Sequence, residues 1–462
     1  MRGRRKRRGR TPLARPAGTL GVRPVVAIVG RPNVGKSTLF NRLAGAPLAI
    51  VEDMPGVTRD RHYADAWAYG REFVVIDTGG FDPESEDPMQ SGIGEHVRLA
   101  LDEADVVVCV LDVTAEPLAA DREVIQLLRQ TRHPAIFVAN KADSERKTHA
   151  VGSFYELGVD AILPVSALHG RGIGDLEERI VELLPEAVDE PDVDLDVGRV
   201  AIVGRPNAGK SSLVNALTGE ERQLVDDRPG TTVDSVDTLL ERGEERLILI
   251  DTAGMRKKNR VGRSGVEALG VFQAIRSIER SHAVVLLIDA QLGVGEQDAK
   301  IAGLAVERGR ALVIGLNKID LLRGADRRAA RERTREVLAF APWAPLVELS
   351  ARKGQGIEKL VRVVSAALVE HRRRITTGEL NRFFRDVLET HPPPSMHHRP
   401  IRLYFITQAS VAPPTFMIST NEPEGVHFSY QRYVVNQIRG QFGFEGTPIR
   451  TRFRKRERRE RE

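Results

Sequence analysis

Five short apolar runs rich in β-branched residues, "VVAIVG" (25–30), "FVVIDT" (73–78), "VVVCVLDV" (106–113), "AIFVAN" (135–140) and "AILPVS" (161–166), are separated by stretches with apolar positions at helical spacing. A second set follows in the same order: "RVAIVG", "LILIDT", "AVVLLIDA", "ALVIGL" and "LVELS". Near-continuous apolar strands alternating with helices predict an α/β fold, a mostly parallel sheet with helices on both faces, built twice. Gly204 follows Gly30 by 174 residues, and Thr232 and Asp251 follow Thr58 and Asp77 by the same interval. Asn317 follows Asn140 by 177 and Ser350 follows Ser166 by 184, so the second copy lengthens where surface loops absorb insertions.

The pattern predicts a first domain over 23–184 and a second over 198–369. Between them, residues 185–197 hold six acids and two prolines and read as an acidic linker. The pattern changes after the second copy. Helix, strand, strand, helix, strand over 370–455 predict a small α+β domain, with "IRLYFITQAS", "TFMIST" and "TPIRTRF" as its strands. Residues 1–22 form a basic arm expected to be disordered, and 456–462 a charged tail.

The chemistry falls at strand ends. "GRPNVGKS" (30–37) and "GRPNAGKS" (204–211) each leave an apolar strand and open a helix, the context in which G-x4-G-K-[ST] cradles phosphates. Gly30, Gly35, Gly204 and Gly209 let backbone N–H groups turn inward, and Lys36 and Lys210 add a point charge. Ser37 and Ser211, with Thr38 and Ser212 beside them, stand at the helix start. Ser37 with Thr58, and Ser211 with Thr232, are candidate Mg2+ ligands, with Asp77 and Asp251 acting from the opposite side. Gly80 and Gly254 are placed to offer an N–H to a γ-phosphate. Release of that phosphate frees both loops, so each site is expected to be a switch whose catalytic groups are Lys36, Thr58 and Gly80, or Lys210, Thr232 and Gly254. "NKAD" and "NKID" supply Asn140, Lys141, Asp143 and Asn317, Lys318, Asp320. One carboxylate accepts from N1–H and N2–H2 of guanine together, and adenine presents no such pair, so GTP and GDP are the expected ligands. Ser-Ala turns at Ser166-Ala167 and Ser350-Ala351 complete each set.

The chain has 462 residues and a formal net charge of +5, but the charge is concentrated at the ends: residues 1–10 carry +7 and residues 450–462 carry +5. Such blocks are either solvated extensions or arms that neutralise nucleic-acid phosphates. The single cysteine, Cys109, lies in an apolar run, no apolar stretch approaches membrane-spanning length, and the basic start lacks an apolar segment behind it. A cytoplasmic, monomeric protein without membrane or DNA partners is expected.

The tandem guanine motifs, with "PPTFMISTN" and "SYQRYVVNQIRGQFGFEGTPIR" near the C-terminus, resemble the EngA (Der) family of bacterial double-G-domain GTPases over about residues 24–455. The resemblance implies two tandem P-loop G domains, a KH-like third domain, GTP hydrolysis, and a role in assembling the large ribosomal subunit through rRNA. It also implies that Asn33 and Asn207 match an asparagine that helps hold K+ in similar GTPases. There are departures. Ala208 replaces the usual Val, Val233 the usual Arg, "SMHHRPIRL" is less basic than the family's approach to that strand, and "GQFG" at 440–443 sits at a helix end and does not join two helices. Phe81 and Met255 occupy positions where a water-orienting Gln often sits, which leaves open a nucleotide-binding RNA scaffold with slow turnover at one or both sites.

Overall fold

Val25–Val29 (β1) is buried at every position because both faces of its sheet are covered: Val25, Ala27 and Val29 enter one apolar core, Val26 and Ile28 the opposite one. The computed structural model describes residues 23–44, 63–77, 104–131, 134–144, 147, 150–159, 161–185, 197–219, 237–243, 245–251, 266–394 and 400–455. Thr58, Gly80, Phe81, Thr232, Val233, Gly254, Met255, the basic arm, most of the acidic linker and the charged tail lie outside them.

In the first copy β1 pairs in parallel with β3 (Arg71–Asp77) and with β4 (Val106–Asp112). β5 (Ala135–Asn140) and β6 (Ile162–Pro164) continue the parallel sheet. β2 (Tyr63–Ala68) closes the other edge antiparallel to β3, giving the order β2-β3-β1-β4-β5-β6. Helices α1 (Lys36–Leu43), α2 (Ala119–Thr131) and α3 (Ile173–Leu183) complete the described part of the layers. The second copy repeats this with β7 (Gly198–Val203), β8 (Thr238–Arg242), β9 (Glu245–Leu249), β10 (Ala283–Asp289), β11 (Ala311–Asn317) and β12 (Leu346–Glu348), in the order β12-β11-β10-β7-β9-β8. Its helices are α4 (Lys210–Thr218), α5 (Val266–Glu279), α6 (Glu296–Glu307), α7 (Gly324–Val337) and α8 (Ile357–Arg372). Cys109 is buried in β4, and burial pushes its thiol well above the usual range, as an inert core residue requires.

The C-terminal segment follows the predicted α-β-β-α-β order: α9 (Thr377–Thr390), β13 (Leu403–Ser410), β14 (Thr415–Thr420), α10 (Phe428–Phe442) and β15 (Arg450–Lys455). β14 pairs antiparallel with β13 and parallel with β15. "GQFG" ends α10, with Gly443 as its C-cap at φ 86°.

Polar contacts mark two seams, the first of them charged. Glu279, at the end of α5 and 1% exposed, faces Arg308 at 2.6 Å, Arg23 at 3.4 Å and Arg310 at 3.7 Å; Arg308 and Arg23 also reach Asp65 on β2, at 2.6 and 3.0 Å. This ties the first copy to the second. At the end of α8, the His371 ring meets Thr447 Oγ1 at 2.6 Å, and its carbonyl accepts from Ala412 N–H. Nearby, Gly446 N–H donates to the Trp343 carbonyl and its own carbonyl accepts from Leu312 N–H, which ties the second copy to the C-terminal domain.

Burial, with Arg310, Arg372 and Arg450 close by, holds His371 down to about 3. His282, whose Nδ1 accepts from Arg199 N–H, is held well below the ordinary value first by burial and then by Arg372 and Arg310. Both rings are therefore neutral in the folded protein, while the unfolded chain takes up a proton on each near pH 6.5. Stability should be full above that pH and fall as pH drops below about 6.5, by up to about 1.4 kcal/mol per pH unit for each ring, the His371 part continuing toward about 3. Urea midpoints across pH 7.5 to 5 check this, and His371→Asn should reduce the slope.

Candidate nucleotide sites

Each phosphate loop is shaped by close backbone approach. Gly30 has φ 146°, and a Cβ there would meet the Val110 carbonyl oxygen at 2.4 Å; Gly204, at φ 145°, would meet that of Leu287 at 2.2 Å. Only glycine fits. Gly35 and Gly209 are left-handed N-caps that offer no side chain to the helix, which leaves the first-turn N–H groups directed at the loop, as anion binding needs. Lys36 Nζ folds across the loop onto the carbonyls of Gly30 and Arg31, both at 2.9 Å; Lys210 does the same to Gly204 and Arg205, both at 2.7 Å. Burial lowers the Lys36 pKa, opposed by Asp77.

Ser37 is exposed at the start of α1, and its Oγ donates to Asp77 Oδ2 at 2.6 Å, on a carboxylate buried at the end of β3. Thr38, Ser211 and Ser212 are likewise exposed at the helix starts. Asp251 takes a left-handed conformation (φ 59°), and its N–H donates to Asp237, which also holds Arg280 at 2.8 Å.

The N-K-x-D side is built on a clamp that the motif reading did not anticipate. Asn140 is buried; its Nδ2 donates to the Val34 carbonyl at 2.8 Å, and its Oδ1 accepts from Ala167 N–H at 3.0 Å. Asn317 repeats both bonds at the same distances, to the Ala208 carbonyl and from Ala351 N–H. Each asparagine thus fastens the phosphate loop to the Ser-Ala turn. Lys141, left-handed at φ 68°, reaches the Asn33 carbonyl at 2.9 Å and Asp112 Oδ2 at 2.6 Å; Lys318 reaches Asp289 Oδ2 at 2.6 Å. Burial of Asp112 works against its charge, but bonds from Lys141 and Thr114 outweigh it and lower its pKa.

Asp143 is exposed, while the Asp320 side chain is only 9% exposed. A bond from Lys147 lowers the Asp143 pKa, and a bond from the Ser350 hydroxyl does the same for Asp320. Both carboxylates are ionised acceptors, as guanine recognition requires.

Sequence reading missed four acids, Asp112 and Asp289 at the ends of β4 and β10, and Asp121 and Asp298. Arg31 holds Asp121 at 3.3 Å and Arg205 holds Asp298 at 2.8 Å, fixing the second residue of each loop. The signal was present: both pairs recur at the 177-residue interval of the asparagines.

Comparison with known proteins agrees with this duplication. Residues 25–141 and 199–318 each match the family described as 50S ribosome-binding GTPase, and residues 374–454 match the KH-domain-like C-terminal region of EngA bacterial GTPase enzymes. GTPase Der of Moorella thermoacetica is 48% identical over 435 residues, covering 94% of this chain and 99% of its own. GTPase Der of Geotalea daltonii is 46% identical over 442 residues, covering 95% and 100%. Among solved structures, Era in complex with MgGDPNP and a 16S ribosomal RNA fragment is similar at 21% identity and TM-score 0.30, covering 56% of this chain and 92% of its own.

Proposed function

The chain belongs to the family of the bacterial GTPase Der, also called EngA, and from that premise we propose that this GTPase acts in assembly of the large ribosomal subunit, using its two nucleotide states to control docking on rRNA. The observation that carries the reading is the double clamp. Asn140 and Asn317 each lock a phosphate loop to a Ser-Ala turn, so both copies keep the same clamp, which supports a nucleotide site in each. Co-sedimentation with separated ribosomal subunits in GDP, GTP and a non-hydrolysable analogue tests it. Association with the large subunit in one nucleotide state and not another is expected; equal association in all states, or none, would overturn it.

The donor chemistry fits Mg2+: Ser37 Oγ and Asp77 Oδ2, hard oxygens 2.6 Å apart, lie where the loop meets the helix. Ser37, Thr58 and Asp77 would hold the ion in the first site, and Ser211, Thr232 and Asp251 in the second. When bound, it neutralises charge on the β- and γ-phosphate oxygens. The protein's own part is positional: Lys36 and Lys210 aim an ammonium at the phosphates, and the helix N-termini supply fixed donors.

For K+ we assign Asn33 and Asn207, both exposed in their loops. Their backbones are left-handed, at φ 66° and 63°, a conformation asparagine tolerates, so glycine is the substitution that removes the side chain without strain. Turnover in K+ should exceed that in Na+ severalfold at equal ionic strength, and Asn33→Gly and Asn207→Gly should each erase the difference in its own site while GDP affinity stays nearly constant. Equal rates for wild type in the two salts would rule the ion out.

A further inference from the structure

The two helices of the C-terminal domain lie against one face of its sheet, where Phe384, Val434 and Ile438 pack on Ile406, Phe416 and Ile418. Among the described residues, the other face keeps side chains exposed. Cross-strand register places Phe405, Ser419 and Arg454 in one row across it, and Thr407, Met417 and Arg452 in the next. Arg452 and Arg454 are exposed, and Phe405 is 43% exposed.

A register shift between Leu403 and Phe405 changes what β13 presents. In a regular strand, neighbouring residues point to opposite faces. Here Leu403 and Ile406 are buried, while Tyr404 and Phe405 between them are both exposed, Tyr404 by 40%. The bulge therefore turns two consecutive aromatic side chains outward. None of the strands β13, β14 and β15 contains an acid, and β15 ends on Arg452, Arg454 and Lys455, so the charge carried by the strands themselves is positive only. Glu422 and Glu424 come only after β14 has ended.

Half-exposed rings on β13, with arginines in the same rows two strands away on β15 and no acid within the three strands, are matched to a ligand that has flat apolar faces and a negative backbone. We propose that this sheet face is a stacking platform for single-stranded RNA, with bases on Tyr404 and Phe405 and phosphates against Arg452 and Arg454. A duplex fits it poorly, because paired bases already cover each other's faces. The platform is distinct from a cleft built on a G-x-x-G loop, for which this domain has no two-helix junction. The inference rests on the rRNA reading and deepens it by naming unpaired segments as what the C-terminal domain contacts.

The test uses the full chain and a fluorescent mixed-sequence RNA of about ten nucleotides, alone and annealed to its complement. Wild type should prefer the single strand. Tyr404→Ala and Phe405→Ala should each weaken single-strand binding about 10-fold, and Tyr404→Phe should retain it, since stacking needs the ring and not the hydroxyl. The salt dependence of the alanine variants should match wild type. Arg452→Gln with Arg454→Gln should instead flatten log K against log salt by about 0.7 per lost contact. Unchanged GTP turnover and thermal unfolding in these surface variants would establish that only the face has changed. If wild type binds the large subunit but the double alanine variant binds the single strand as well as wild type does, the platform is wrong and the ribosomal reading stands. If the double variant loses subunit binding while its affinity for the naked strand is intact, the face docks a ribosomal protein and the proposal is overturned. If wild type binds neither RNA nor subunits, both readings fall together.

Discussion

Asn140→Ala should lower guanine-nucleotide affinity at the first site about 100-fold and leave the second site unchanged, and Asn317→Ala should do the reverse. The substitution removes one donor and one acceptor from a buried position and strands the Val34 carbonyl and the Ala167 N–H. Each unsatisfied buried group costs about 1–3 kcal/mol. Part of that is recovered by local movement of the loop, and the loop's shape is what the nucleotide requires, so roughly 3 kcal/mol, about 100-fold, should appear as lost affinity. Asn140→Asp keeps an acceptor for Ala167 N–H but sets a buried carboxylate oxygen against the Val34 carbonyl, so it should bind no better than Ala. Fluorescent GDP titrations of each variant check this, and an equal loss at both sites in either alanine variant would contradict it.

The second large effect lies away from both nucleotide sites. Glu279→Ala should destabilise the protein by about 3–5 kcal/mol, because it leaves Arg308 and Arg310, both nearly fully buried, without their shared carboxylate. Burial lowers the Arg310 pKa to about 10 even with Glu279 present, and Glu279 is the acid that Arg308 and Arg310 share. Glu279→Met combined with Arg308→Met and Arg310→Met should recover most of the loss, since apolar side chains of similar volume remove the need for pairing there while Arg23 keeps Asp65. Urea unfolding of the two variants gives the comparison. A Glu279→Ala effect below 1 kcal/mol would mean that the charges of this seam reach water.

What could be read from the sequence and what could not divide along a physical line. The strands predicted from "VVAIVG", "VVVCVLDV" and their second copies are all present, because burial on both faces leaves nothing but apolar residues in them. β2, "YADAWA", went unread: it is an edge strand with only Ala66 and Ala68 buried, and alanine carries little strand signal. The phosphate loop and N-K-x-D motifs were legible because their chemistry requires fixed local spacing. The clamp role of Asn140 was not, since its partners at Val34 and Ala167 lie on different loops and the motif names only one end of each bond. The Glu279 seam joins residues separated by up to 256 positions, from Arg23 on, and no local pattern marks them. The bulge at Tyr404 is a failure of alternation too short for periodicity to register. Thr58, Gly80, Thr232 and Gly254 lie outside the described residues, so the switch half of each site rests on motif and family.

The central claim is that the chain carries two independent guanine-nucleotide sites, and calorimetric titration of the full-length protein with GDP tests it most directly. Wild type should show two binding events. Asp143→Asn should abolish guanine preference in one of them and Asp320→Asn in the other, because each replaces a carboxylate that accepts both guanine donors with an amide that accepts one and repels the second. Two single-event isotherms, with parameters that together reproduce the wild-type curve, are the predicted result. Loss of both events from either substitution, or a single event in wild type, would contradict the account.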